Sequence, residues 1–285
     1  MPEALPLSER LALHHWTLET TALPEFLRVA RETGWNAVEL RRSSFTKCFQ
    51  SGMTNEQVIE LIRSSGIKVA VIGTEYGLFF AKGDERRRLL KVLDETCANA
   101  LALGCDLVMC AEGFGGGNVR NAAVNIRAAG DVCAAHQVRF AFEFSSAASV
   151  VNSLDVARDV LARADHPACG LLLDAYHLER TGRGSRGFED VPAHEIFAFQ
   201  YSDVPPTPRP ESRRPTDRLP PGRGIVRWHE VLGLLLEKNY SGYLSYEAPN
   251  PEHWSRAPAA VAREGVQAMR TLLADIEPPH AARAV

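Results

Sequence analysis

ACGLLLDAYHL, residues 168–178, is the stretch that decides the fold of this 285-residue chain. Its apolar run starts at Gly170 and ends at Asp174. An uninterrupted apolar run of this length indicates a strand that is buried on both faces, as in a parallel sheet covered by helices. Asp174 then stands at the carboxyl end of the strand, where parallel α/β folds collect their functional groups.

Short apolar runs of this kind alternate with amphipathic segments along the whole chain. Eight are predicted as strands: Leu11 to His15, Ala37 to Leu40, Lys68 to Thr74, Leu107 to Cys110, Arg139 to Phe144, Gly170 to Asp174, Phe197 to Tyr201 and Tyr243 to Glu247. Intervening segments such as NEQVIELIRSSG, residues 55–66, have helical spacing and end at glycine, a common helix stop. A repeat of roughly 30 to 40 residues per unit predicts an α/β fold, a single-domain (β/α)8 barrel.

We expect the barrel to occupy residues 11–275, after an N-terminal extension at 1–10 and before a disordered tail at 276–285. A doubly wound open sheet is the competing fold. It usually has fewer strands and a glycine-rich phosphate turn after the first one, whereas HHWTLETT, residues 14–21, contains no glycine. The segment GFGGGN, residues 113–118, lacks the Lys and Ser/Thr of a P-loop and is predicted to be a flexible loop.

Composition argues against several classes of partner. The 32 Lys and Arg residues nearly balance 35 Asp and Glu residues, so no strong field would recruit nucleic acid or an anionic membrane. No apolar run approaches the roughly 20 residues of a membrane helix, and the start lacks the features of a secretory signal. We therefore expect a cytoplasmic protein. The six scattered cysteines form no C-x-x-C pair and are expected to be reduced core residues.

Two long segments interrupt the repeat: TGRGSRGFEDVP at residues 181–192 and VPPTPRPESRRPTDRLPPGRG at 204–224. Both fall after a strand, and on a barrel such loops lie at the carboxyl-terminal mouth. Long loops at that mouth usually serve as lids or contact the substrate.

Four late strands end in a side chain that can bind a metal: Glu143 in FAFEF, Asp174 in GLLLDAYH, Gln200 in FAFQYSD and Glu247 in YLSYE. A carboxylate directly after an apolar run is costly to bury unless it is paired or coordinates a cation. Strand ends of a barrel converge on one mouth, which predicts a shared site for one divalent ion. All four are oxygen donors, so Mn²⁺ is the first expectation, with Mg²⁺, Co²⁺ or Zn²⁺ as alternatives.

From about Leu11 to Leu273 the chain resembles the xylose isomerase-like barrel superfamily, in its sugar isomerase and epimerase branch. That branch includes tagatose epimerase, hydroxypyruvate isomerase, inosose-processing enzymes and dehydroshikimate dehydratase. The resemblance rests on FEF at Glu143, on ADHPACGLLLDAYHL, QYSD and GYLSYE, and on DRLPPGRG at residues 217–224. It implies Glu143, Asp174, Gln200 and Glu247 as metal ligands, with His177 and Arg218 as substrate contacts.

Two features depart from parts of that family. Gln200 stands where many members have histidine, although hydroxypyruvate isomerase-like and dehydroshikimate dehydratase-like members are similar in having glutamine. SSAASVVNS, residues 145–153, lacks the second glutamate that tagatose epimerase-like enzymes have there.

The resemblance also implies a homodimer or homotetramer.

The site residues suggest a reaction at a carbon next to a carbonyl. A divalent ion bound by adjacent carbonyl and hydroxyl oxygens would acidify the C–H bond and stabilise an enediolate, with Glu143 and Glu247 as the acid/base pair. We expect a small polyhydroxylated carbonyl substrate. Candidates for its wall come from the early strand ends: His15, Trp16, Glu39, Arg41, Arg42, Glu75, Tyr76 and Glu112. Trp16 could stack on a sugar face, and Arg41 or Arg42 could hold a carboxylate or phosphate.

Several outcomes remain open at this level. Return of the proton to the neighbouring carbon gives an isomerase, return to the other face gives an epimerase, and loss of a β-hydroxyl gives a dehydratase of a cyclic keto acid or inosose. Abasic-site endonucleases share the fold, but they require several metals and further histidines, including one near Asp217, where this chain has Asp-Arg-Leu. A metal-bound scaffold without catalysis is the remaining alternative.

Overall fold

A computed structural model describes residues 5–113, 115–212 and 214–277. Its eight strands are β1 Leu11–His14, β2 Ala37–Leu40, β3 Lys68–Gly73, β4 Leu107–Ala111, β5 Arg139–Glu143, β6 Cys169–Asp174, β7 Ile196–Tyr201 and β8 Leu244–Tyr246. All neighbouring strands pair in parallel, and β8 pairs with β1, so the sheet closes into a barrel. The predicted (β/α)8 fold is thereby confirmed.

The strand boundaries differ from the predicted ones by no more than one residue. His15 was placed at the end of β1, which is wrong, because it begins a 3₁₀ turn that runs to Leu18. Its side chain leaves the barrel interior, stacks on Phe26 and bonds to Ser44.

Ten α-helices surround the barrel: α1 Leu23–Glu32, α2 Arg42–Gln50, α3 Asn55–Ser64, α4 Gly83–Ala102, α5 Val119–Ala135, α6 Leu154–Ala164, α7 Ala175–Arg180, α8 Trp228–Glu237, α9 Pro251–Trp254 and α10 Pro258–Ala274 among the described residues. Gly34 shows how they end. Its φ of 87° lets the chain turn back so that the Trp35 amide donates to the Ala30 carbonyl at 3.0 Å.

The core fills both the barrel interior and the layer between strands and helices. Strand residues are buried along nearly their whole length, as the apolar runs predicted. All six cysteines are buried and free, and no disulfide joins any described residues. No described helix combines the length and apolar character needed to cross a lipid bilayer.

The amino-terminal end of the barrel is tied together by side chains from the first and last segments. Arg10 precedes β1 and donates to the carbonyl oxygens of Leu5 and Gly242. The carboxylate of Glu277 accepts the amide N–H groups of Leu7 and Ser8. Residues 278–285, most of the segment expected to be a tail, lie outside the described residues.

The two long segments lie at the carboxyl-terminal end. The segment at 181–192 follows β6 through the short helix α7, whereas the segment at 204–224 follows β7 directly. Asp203 anchors the second segment: its buried carboxylate accepts the amides of Val204, Gly222 and Val226 and the indole N–H of Trp228. These bonds fix both ends of the loop that carries Arg218.

Candidate active site

The four strand-end oxygen donors lie together at the carboxyl-terminal mouth. Glu143 and Asp174 are the last residues of β5 and β6, Gln200 is the penultimate residue of β7, and Glu247 follows β8. Asp174 and Gln200 are direct neighbours in the pairing of β6 with β7. All four side chains are buried, so their polar atoms have to be satisfied by one another or by a bound group.

Arg218 lies between two of these carboxylates. Its Nη1 is 2.6 Å from Oδ2 of Asp174 and 3.0 Å from Oε2 of Glu247, and its side chain is 1% exposed. The guanidinium carbon also lies 4.6 Å from the centre of the Tyr176 ring. The side-chain amide of Asn250 donates to the backbone carbonyl of Arg218 at 3.1 Å, which fixes the backbone there. Arg218 therefore supplies a fixed positive charge in the buried acidic cluster.

His177 contacts the other side of the cluster. Its Nε2 is 3.6 Å from Oε1 of Glu143, 3.8 Å from Oδ2 of Asp174 and 3.2 Å from Nη2 of Arg218. The Ser146 amide and hydroxyl approach Nδ1 at 3.2 and 3.0 Å. A neutral imidazole has one acceptor nitrogen, so Arg218 and the Ser146 amide compete for it.

His14 and Glu39 form the floor below the four donors. His14 Nε2 is 3.3 Å from Oε1 of Glu247 and 3.6 Å from Oε1 of Glu39, which also accepts from the Gln200 amide at 2.8 Å. His14 was not among the predicted site residues, which included its neighbour His15 instead. Alternation along the LALH segment places His14 on the same face as Ala12, but all four residues are buried, so the sequence did not show which face was inward.

Burial dominates the electrostatics of the cluster. It raises the pKa of Glu143, and Glu247 and Asp174 raise it further. It also raises the pKa values of Asp174 and Glu247, against the opposing charge of Arg218. Burial lowers the pKa of His177 well below its usual range, and Arg218 adds to that effect. The imidazole is therefore neutral near pH 7.

The donor atoms fit a divalent cation. Ligating atoms of Glu143, Asp174 and His177 all lie within 4.8 Å of one another, a group that contains two of the four predicted ligands together with a predicted substrate contact. Oε1 of Glu143 and Oε1 of Gln200 are buried and have no hydrogen-bond partner among the described residues. The side-chain nitrogen of Gln200 donates to Glu39, so the side-chain oxygen of Gln200 is the atom left for another partner. Unpartnered buried oxygens near three carboxylates are what a cation would satisfy.

A cavity of about 730 Å³, including its open mouth, leads to this cluster. Its lining comes from the carboxyl ends of seven strands, all except β2: Trp16, Tyr76, Ala111, Glu112, Gly113, Glu143, Ser145, Ala147, Ala148, Ser149, His177, Arg214, Pro215, Arg218 and Glu247. Phe114, in the segment predicted to be a flexible loop, lies outside the described residues.

Glu112 lines the cavity, but its carboxylate is already occupied. It accepts the Ser149 amide and hydroxyl at 2.8 and 2.7 Å and the Val151 amide at 2.6 Å, with the Val150 amide at 3.2 Å. These bonds hold the segment after β5, which also carries Ser146 next to His177. Glu112 therefore positions this wall of the cavity.

Of the remaining wall candidates, some lie at or next to the cavity and others point away from it. Trp16 and Tyr76 line the cavity, and Arg41 stands behind Trp16 with its guanidinium carbon 4.8 Å from the ring centre. Arg41 also pairs with Glu19 at 2.9 Å, and it does not itself line the cavity.

Two further candidates point elsewhere. Arg42 lies 3.8 Å from Glu95 and packs near Phe49. Glu75 is 3.1 Å from Arg88 in an ion pair that is open to solvent. Neither side chain lines the cavity.

Comparisons with known proteins agree with this fold. The family model described as "Xylose isomerase-like TIM barrel" matches residues 27–272. The inosose isomerase of Halalkalibacterium halodurans is 23% identical, with 84% of this chain and 86% of that protein covered. The 3-dehydroshikimate dehydratase of Pseudomonas putida is 25% identical over 80% of this chain but only 36% of that protein.

Among solved structures, the IolI protein with a bound zinc atom superposes with a TM-score of 0.80 at 17% identity, covering 93% of this chain and 98% of that one. At this identity the superposition shows the fold. The family match spans most of the chain, from α1 to α10, and the relatives are isomerase and dehydratase enzymes. The chain belongs to the xylose isomerase-like TIM barrel family.

Proposed function

We propose that this protein is a divalent-metal-dependent isomerase or epimerase of a small polyhydroxylated carbonyl substrate. The observation that carries the proposal is the pair of buried glutamates, Glu143 and Glu247, which share one cavity with Arg218 and His177. Two carboxylates in one enclosed site can remove a proton from a carbon acid and return it elsewhere. The inosose isomerase relative supports this reaction class.

The residues that would hold the ion are Glu143, Asp174, Gln200 and Glu247, with Mn²⁺ as the first expectation. Three carboxylates and one amide oxygen suit a hard cation. When bound, the ion supplies positive charge that stabilises the oxyanion developing next to the reacting carbon. Among the described residues, Arg218 is the arginine that pairs directly with these three buried carboxylates, and a divalent ion would balance the remaining negative charge.

The chain's own residues would divide the remaining work. Glu143 lines the cavity and would take the proton through the carboxylate oxygen that the ion does not use. Glu247 is held by Arg218 and His14, so its carboxylate is fixed in place to return a proton. Neutral His177 and cationic Arg218 face the same cavity and would bind substrate oxygens. Trp16 and Tyr76 would cover the substrate and limit access of water.

The direct test is exchange of substrate hydrogen with solvent. The Mn²⁺-loaded enzyme is incubated in heavy water with a panel of ketoses, inososes and polyhydroxylated keto acids, and deuterium incorporation is followed by NMR. We expect incorporation at the carbon next to the carbonyl for at least one member, and we expect Glu143→Gln and Glu247→Gln to abolish it. An absence of exchange across the panel would overturn the proposal.

A dehydratase of a cyclic keto acid is the second candidate. It is favoured by the 3-dehydroshikimate dehydratase relative and by Gln200, since the same proton removal followed by loss of a β-hydroxyl gives an enone. Mixing the enzyme with dehydroshikimate or inosose would then produce a new ultraviolet absorbance. Unchanged absorbance with both compounds, together with deuterium exchange, would leave the isomerase or epimerase as the function.

We further propose that the barrel acts as a cytoplasmic homodimer or homotetramer without a nucleic-acid or membrane partner. Analytical ultracentrifugation of the intact protein measures its oligomeric state, and a monomer would refute the proposed dimer or tetramer. Nicking of abasic duplex DNA would contradict the proposed lack of a nucleic-acid partner. The near balance of charges is the observation that supports the exclusion of nucleic acid.

A further inference from the structure

The mouth of the cavity carries a cation that has no carboxylate partner among the described residues. Arg214 is exposed, lines the cavity next to Pro215, and makes no ion pair with any residue that the structure describes. Its backbone is fixed, because the Ser212 hydroxyl donates to its carbonyl at 3.0 Å and accepts its amide at 3.1 Å. A positive group is thus held at the entrance rather than on a free surface.

Trp16 orients this guanidinium. The guanidinium carbon of Arg214 lies 5.4 Å from the centre of the Trp16 ring, and that of Arg41 lies 4.8 Å from the same centre. Stacking on an indole uses the face of a guanidinium and leaves its N–H edges free for an oxyanion. The edges of Arg214 are therefore available to a ligand in the cavity.

The charged groups around Trp16 are mostly positive. Glu19 is the carboxylate paired with Arg41, at 2.9 Å, and it also accepts from Lys47 at 2.9 Å. One carboxylate therefore faces two cations even before Arg214 is counted. Glu112, which lines the same cavity, already accepts several N–H and O–H groups. Glu143 and Glu247 line the same cavity, but neither lies within ion-pair distance of Arg214.

We propose that Arg214 binds a carboxylate of the substrate, which makes the substrate a small polyhydroxylated acid rather than a neutral sugar. The inference rests on the proposed function and narrows its substrate class. Arg41, the arginine that the sequence pointed to for this task, is occupied by Glu19 and lies behind Trp16. Arg214 takes that role because its guanidinium reaches the cavity.

A carboxylate fits better than a phosphate. Barrels commonly bind phosphate at the loops after the last two strands and at the amino terminus of a short extra helix. Here the short helix after β8 is α9, whose first turn is capped by Asn250 accepting from the Glu252 amide at 3.0 Å. Pro251 removes one donor and Glu252 adds negative charge, so a dianion finds no cradle there.

The test compares two probes that differ only in charge: shikimate, a cyclic hydroxy acid, and its neutral methyl ester. Binding to the Mn²⁺-loaded enzyme is measured by titration calorimetry. We expect the acid to bind about 10- to 100-fold more tightly, as a hydrogen bond to a charged group would give. Arg214→Gln should remove most of that preference, Arg214→Lys should keep part of it, and the control Arg223→Gln, exposed in the same loop but outside the cavity, should keep all of it.

Equal binding of acid and ester by the unaltered enzyme would overturn the inference. A preference that persists in Arg214→Gln would also overturn it, because the acid would then be recognised at the other end of the cavity. A comparison of the binding of ribose 5-phosphate with that of ribose tests phosphate as the ligand. If Arg214 contributed more to phosphate binding than to carboxylate binding, phosphate would replace carboxylate as the proposed ligand of Arg214. These titrations do not require turnover, so their outcome is independent of the deuterium-exchange result.

Discussion

Nη1 of Arg218 lies 2.6 Å from Oδ2 of Asp174, and both side chains are almost completely buried. Such a pair is stabilising only while both partners are present, since either charge alone would be buried without compensation. Because Arg218 also contacts Glu247, the same guanidinium balances two of the proposed metal ligands. The protein without metal should therefore depend on Arg218 more than the metal-loaded protein does.

Arg218→Met should expose this dependence. With metal chelated, we expect the free energy of unfolding to fall by roughly 3 to 5 kcal/mol, the usual cost of breaking a buried pair. Saturating Mn²⁺ should recover part of that loss, since a cation can replace the missing charge. Urea unfolding with and without chelator measures both effects. The exposed Arg263→Met is the control, and an equal loss in both conditions would contradict the role assigned to Arg218.

Gln200→Leu removes an oxygen donor while keeping an approximately similar volume. We expect Mn²⁺ affinity to fall at least about tenfold, in the range that changes around metal sites usually produce. Calorimetric titration with Mn²⁺ gives the affinity directly, and the control Gln267→Leu on the exposed face of α10 should leave it unchanged. Unaltered affinity in Gln200→Leu would remove Gln200 from the ligand set.

Glu112→Gln should affect the reaction by displacing the segment after β5, and it should leave the charge of the metal site unchanged. One acceptor oxygen becomes an amide NH₂ that faces the N–H groups of Ser149 and Val151, so the segment after β5 should loosen. Ser146 and His177 depend on that segment, and kcat should therefore fall while Mn²⁺ affinity stays within about twofold. Hydrogen exchange at residues 145–151 measures the loosening. Unchanged exchange combined with lower kcat would indicate direct contact between Glu112 and the substrate instead.

His15 should make stability depend on pH. Burial lowers the pKa of His15 to about 4 in the folded protein, whereas an exposed histidine has a pKa of about 6.5. The contribution of neutral His15 to the free energy of unfolding is therefore complete above pH 6.5. It is lost as the pH falls towards 4, by up to about 3 kcal/mol. His15→Gln should be less stable at pH 7, with a gap that narrows towards pH 4.

The measurement is urea unfolding at half-unit steps from pH 7 to pH 4 for both proteins. Taking the difference cancels the titration of other groups. The control is Gln267→Asn, an exposed substitution that neither adds nor removes a titrating group and should therefore give a constant difference. A constant difference for His15→Gln as well would show that His15 does not titrate in this range.

The barrel could be predicted from the sequence because its strands are short apolar runs that are buried on both sides. Asp174 and Gln200 could also be placed, since each lies at or near the carboxyl end of such a run and parallel strands bring those ends together. Arg218 lies far from any strand. Its position depends on the anchoring of a long loop by Asp203, and only the resemblance to a family indicated its place.

Side-chain direction was the part that the sequence left undetermined. The pair His14 and His15 could each have faced the barrel, and one residue of difference in the end of β1 decided which did. The same limit applies to Arg41, whose partner Glu19 comes from the turn after β1. Arg214 gave no signal at all, because an exposed arginine in a proline-rich loop has no periodic pattern to reveal its contact with Trp16.

The hydrogen bonds from Leu7 and Ser8 to Glu277 bring the outermost described segments side by side, at the opposite end of the barrel from the carboxyl-terminal mouth. A few added residues could therefore join these segments into a continuous ring. The ring could then be opened at the exposed turn around Gln137 without removing any strand pairing. Such a circular permutant would retain every side chain of the mouth, so the chemistry of this barrel is separable from the point at which its polypeptide begins.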